Sequence, residues 1–158
     1  MANKNENTIE IYKANIKSDK QQKANLQEEL KLLEEDLKNI NNALKGNNES
    51  MDEIKELQKY LRSAANNMTD AVTDLDGYFQ GNLANEIADE YGKTGNEIIE
   101  LYNSLISQYG NVDAEVEELK AKKKIVEEKI EDIKRKIATL DNRITTNNEA
   151  LGKLQKTQ

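Results

Sequence analysis

Apolar side chains recur along this chain in alternating steps of three and four residues. On the first half the series includes Ile9, Tyr12, Ile16, Leu26, Leu30, Leu33, Leu37, Ile40 and Leu44. On the second half it includes Leu105, Tyr109, Val112, Val116, Leu119, Val126, Ile130, Ile133, Ile137, Leu140, Ile144, Leu151 and Leu154. These are heptad a and d positions, the pattern of helices that bury one narrow stripe against another helix. With Ile9 at a, one phase runs unbroken to Phe79; with Tyr109 at a, a second runs from Ala84 to Leu154. Together they hold 42 a and d positions, 35 of them apolar, where a chain 36% hydrophobic would supply about 15 by chance. The fold class is therefore all-α.

Two phases joined by a short gap predict a helix that turns back on itself. In an antiparallel pair a faces d of the other helix, so the numbers of facing residues share a constant sum. Ile9 with Leu154, Leu30 with Ile133, Leu37 with Val126, Leu61 with Tyr102 and Leu75 with Ala88 all give 163. The bend then falls between Gly81 and Asn82, where glycine accepts the positive φ of a tight reversal and asparagine can cap the returning helix. The expected architecture is a long antiparallel helical hairpin, a single domain over residues 1–158. The segment from Leu44 to Ser50 interrupts this reading, because Gly46 resembles a helix stop and Ser50 with Glu53 has capping-box spacing. A chain that folded back here would make a bundle. Leu44 and Met51 keep the heptad phase across the break, which favours a kink or short gap in a continuing arm.

Composition removes whole classes of function. The chain has no cysteine, histidine, tryptophan or proline, so it has no thiol nucleophile, disulfide, Cys/His metal site or histidine acid–base couple. No apolar run approaches membrane-spanning length, and the opening residues MANKNENTIE lack the apolar core of a signal peptide. The net charge of −7 argues against nucleic acid. That charge is uneven: residues 1–50 carry −1, residues 51–118 carry −11 and residues 119–158 carry +5. Gly92-Lys93-Thr94 lacks the earlier glycine of a phosphate loop, since Ile87 occupies that position, and Asp74-Leu75-Asp76-Gly77 runs into Tyr78 and Phe79 where a calcium loop needs a ligand and a glycine. No cofactor or metal is expected.

The polar a and d residues are Asp19, Lys23, Asn47, Gln58, Lys123 and Asn147, with Gly95 as a gap. They read either as tolerance in a wet seam, with lysine stems snorkelling outward, or as devices that penalise wrong registers. Near the bend the apolar face broadens. Leu57, Ala64, Ala71 and Tyr78 recur every seven residues at g, and Ile99 and Ile106 flank the seam at e on the returning helix. A third helix of the same chain could cover this stripe, but the two phases already use the chain. A partner helix is the better expectation.

At the predicted bend the chain reads Asp76-Gly77-Tyr78-Phe79-Gln80-Gly81. An aromatic-x-glycine at the turn of an antiparallel helical hairpin resembles the WXG-type small proteins of type VII secretion, with Phe79 in the tryptophan place and Gly81 matching the glycine. The resemblance covers about residues 51–113, with 1–50 and 114–158 as longer coiled-coil arms. The full chain looks more like the YwqH-like proteins encoded beside LXG toxins. It implies a non-enzymatic partner that binds the toxin's N-terminal helical region and helps it reach the secretion machine, alongside another small helical protein. It also implies a cytoplasmic location, with export that needs no cleaved signal peptide. The family's Tyr-x-x-x-Asp/Glu export spacing matches Tyr109 and Asp113, although Tyr109 is also a core a residue. The rival expectation is a coiled-coil spacer or homo-oligomeric scaffold with no part in secretion. Neighbouring genes for an LXG toxin would separate the two.

Overall fold

The computed structural model describes residues 2–78 and 82–156, with side chains described over 6–73 and 85–156. Two helices account for it: α1 (Ala2–Tyr78) and α2 (Asn82–Lys156). They pack against each other as a helical hairpin, and no helix among the described residues is long and apolar enough to cross a membrane. Helices this long are held by packing of one stripe more than by propensity. Every described a and d residue is buried or half-buried, while almost every other described residue is exposed.

α1 passes through residues 44–50 without interruption, so the Ser50–Glu53 cap and the bundle it would permit are not used. Gly46 sits in open space with an ordinary helical backbone, and a Cβ added there would meet nothing within 4 Å. The glycine weakens the helix locally without ending it. The expected bend residues Phe79 and Gly81 lie outside the described residues, as do the side chains of Tyr78 and Asn82.

The chain divides into two compact units. The first comprises Met1–Asn41 and Ala121–Gln158. Its core is Ile9 and Ile16 from α1 with Ile130, Ile133 and Leu140 from α2, each nearly removed from solvent. Two ion pairs cross its seam: Lys23 Nζ donates to Asp141 Oδ1 at 2.5 Å, and Arg143 Nη2 lies 3.0 Å from Asp19 Oδ1. Asp19 is only 1% exposed, the most buried polar residue described. Antiparallel registers near a sum of 163 bring together these pairs, whose numbers add to 164 and 162. A slip of one heptad would set Lys23 against Lys134 and Asp19 against Lys136 in one direction, and Lys23 against Asn148 and Asp19 against Ala150 in the other. Either slip breaks the Lys23–Asp141 pair, and one of them also leaves Asp19 with no cation at its level.

The second unit comprises Asn42–Lys120. Met51, Ile54 and Val116 form its buried core, and Asn47 Nδ2 donates to Glu115 Oε2 at 3.3 Å across the seam. Beyond them packing thins. Among the described residues 55–73 and 85–115, no side chain is fully buried. Ala65, Ala88 and Gly95 take a positions here that Ile or Leu fill elsewhere, although residues 20–50 of α1, with leucine or isoleucine at most a and d positions, also contain no fully buried side chain.

Candidate helix-docking face

The cross-helix contacts define two sides of the seam in the second unit. Asn47, at d, reaches Glu115, at g of α2; Lys55, at e, reaches Tyr109, at a. The g residues of both helices thus share one flank and the e residues share the other.

This geometry separates the residues expected to form one stripe. Leu57, Ala64 and Ala71 lie on the g flank; Leu57 is 50% exposed, and the two alanines are half-buried. Ile99 and Ile106 lie on the e flank, 56% and 49% exposed. Leu101, also on the g flank, and Tyr60, on the outer face, are exposed as well. Five large apolar side chains in this unit therefore stand in solvent, two on each flank and Tyr60 on the outer face, and the flanking pairs widen the apolar surface beside the seam.

A groove follows the e flank. Its middle is lined by Leu61, Arg62, Ala65, Ile98, Ile99 and Tyr102. Ala65 and Ile99 also belong to the next stretch, whose floor includes Ala88, Gly92 and Gly95. A Cβ added at Gly92 or Gly95 would meet nothing within 4 Å, so the floor is recessed. Thr69 and Thr73 line the same stretch, and each donates its hydroxyl to the carbonyl four residues earlier, at 3.0 and 2.9 Å. Those hydroxyls are satisfied within α1.

At the other end, Arg62 and Tyr102 continue into a polar stretch with Asp52, Lys55, Glu56 and Lys59. Lys55 pairs with Asp52 at 3.5 Å, and Lys59 with Glu56 at 2.5 Å. The charge interaction with Tyr109, then the hydrogen bond to its hydroxyl, hold Lys55 above the usual lysine value; desolvation opposes them, and Asp52 adds a smaller upward effect. The Lys55 ammonium lies 5.5 Å from the Tyr109 ring centroid, near the limit of a cation–π contact. Arg62 has no ion pair among the described residues. The signal for this was present in the sequence, because its neighbours three and four positions away are Gln58, Lys59, Ala65 and Asn66, none of them acidic.

The Tyr109–Asp113 spacing is divided by the fold. Tyr109 is half-buried at its a position and engaged by Lys55, whereas Asp113 is exposed. Among the described residues no group of three or more acidic side chains is arranged to hold a metal ion. Compared with protein-family models, curated proteins and solved structures, the chain finds no match. What the fold and site define is a helical hairpin with one thinly packed, apolar-flanked unit.

Proposed function

We propose that this protein is a non-enzymatic helical partner and targeting factor of a type VII-secreted LXG toxin, binding the toxin's N-terminal helical region. The observation that carries a docking role is the packing of the second unit. Residues 55–73 and 85–115 contain no fully buried side chain, yet Leu57, Ile99, Leu101 and Ile106 stand exposed on the two sides of that seam. Burying such side chains against a further helix is worth about 25 cal/mol per Å² of apolar surface, before the costs of association. The choice of toxin partner rests on the resemblance of residues 51–113 to the WXG-type proteins. A second small helical protein could occupy the remaining flank, and the complex would form in the cytoplasm before export.

The test is co-purification with the toxin's N-terminal region. Leu57→Glu together with Ile106→Glu places a charge on each flank. The double variant should stay helical by circular dichroism and lose the toxin. Retention of the toxin at wild-type affinity would instead favour the spacer reading.

A further inference from the structure

The two flanks of the second unit differ in chemistry. Residues 51–118 contain only four basic side chains, and three of them, Lys55, Lys59 and Arg62, line the groove on the e flank. Lys55 and Lys59 are neutralised by Asp52 and Glu56, which leaves Arg62 as the groove's one cation without a carboxylate among the described residues. Arg62 stands where the polar end meets the apolar stretch of Leu61, Ala65, Ile98, Ile99 and Tyr102. Farther along, the floor over Gly92 and Gly95 is recessed.

We infer that this groove seats an amphipathic helix of a different protein, one that places large aliphatic side chains over Gly92 and Gly95 and a carboxylate against Arg62. The inference rests on the proposed docking role and names the flank and the partner's chemistry. A recessed, small-residue floor admits side chains that a seam filled by leucine would exclude. A planar guanidinium at the rim matches a carboxylate with two donors. The occupant is not a second copy, because bringing two segments of net −11 together opposes the contact. A helix that is neutral or basic outside its single carboxylate avoids that repulsion.

The experiment uses the full chain, which has no cysteine of its own, with a fluorophore on Asn103→Cys, an exposed position on the e side of α2. The probes are two synthetic amphipathic peptides of Leu, Ala and Lys, one carrying a single Glu within its apolar stripe and the other Lys at that place. The Glu peptide should bind saturably and more tightly than the Lys peptide. Arg62→Glu should weaken the Glu peptide by about tenfold or more and reverse the preference. Gly95→Leu, which fills the floor, should abolish binding while helicity is retained, whereas Leu57→Glu on the other flank should leave binding within about twofold. Absence of saturable binding by either peptide would overturn the inference. So would equal losses from Gly95→Leu and Leu57→Glu. The toxin's N-terminal region added as competitor separates the two readings. Peptides that bind but are not displaced keep the groove and count against the toxin; a toxin region that binds while the peptides do not keeps the toxin reading and removes the groove.

Discussion

Replacing Asp19 with leucine should make the protein more stable. Asp19 occupies a d position, is 1% exposed, and makes one ion pair, with Arg143 at 3.0 Å. Its second oxygen, Oδ2, is buried with no donor among the described residues. An unsatisfied buried acceptor costs about 1–3 kcal/mol, and a leucine buried at a seam position contributes about 1.5–3 kcal/mol. Against these stands the loss of that ion pair, at most the about 1.5–3 kcal/mol of a charge-assisted hydrogen bond. The Arg143 side chain is 58% exposed, so solvent screening reduces that loss, and the freed guanidinium returns to water. The balance favours Asp19→Leu by about 1–3 kcal/mol, or about 2–4 °C in melting temperature per kcal/mol for a chain of this size. Arg143→Met should act in the opposite direction by stranding a buried carboxylate. Thermal melts followed by far-ultraviolet circular dichroism read both. A lower melting temperature for Asp19→Leu, or no change for Arg143→Met, would refute the reasoning.

Three further outcomes follow from single residues. Gly46→Ala should raise stability by about 0.5–1 kcal/mol in chemical denaturation, because α1 is continuous there and the added methyl meets nothing. Asp132 is held below the usual carboxylate range, first by its hydrogen bond from Lys136 at 2.7 Å, so its contribution is present above the unfolded value and fades as pH falls through the folded one; Asp132→Asn should flatten the acid side of the melting-temperature profile. Lys55 is raised mainly by Tyr109, so its contribution is complete below the usual lysine value and lost as pH rises through the folded one; Tyr109→Phe should bring the Lys55 titration back towards that value by nuclear magnetic resonance.

Heptad spacing made the seam legible down to individual residues, because a narrow apolar stripe on a long helix has few other ways to be buried. Even the polar members Asp19, Lys23 and Asn47 take seam positions, and their partners Arg143, Asp141 and Glu115 fall within one residue of the expected level. Gly46 misleads because a glycine inside a helix and one ending it look alike locally; the continuous phase from Leu44 to Met51 is what distinguishes them. The apolar stripe beside the seam was legible only as a set of residues. Listing Leu57 with Ile99 ignores that g and e lie on opposite sides of the seam once the helices run antiparallel. The recess over Gly92 and Gly95 was harder to foresee, since it depends on what faces those glycines as well as on their size.

The account turns on one chain folding back on itself in this register. Leu30→Cys with Ile133→Cys tests the first unit, and Leu61→Cys with Tyr102→Cys the second, in a protein that otherwise lacks cysteine. Under dilute oxidation each pair should close a disulfide within the monomer, visible as a faster-migrating species on denaturing gels, while pairs shifted by one heptad should not. Crosslinks that form only between chains would contradict the hairpin and replace it with an intermolecular coil.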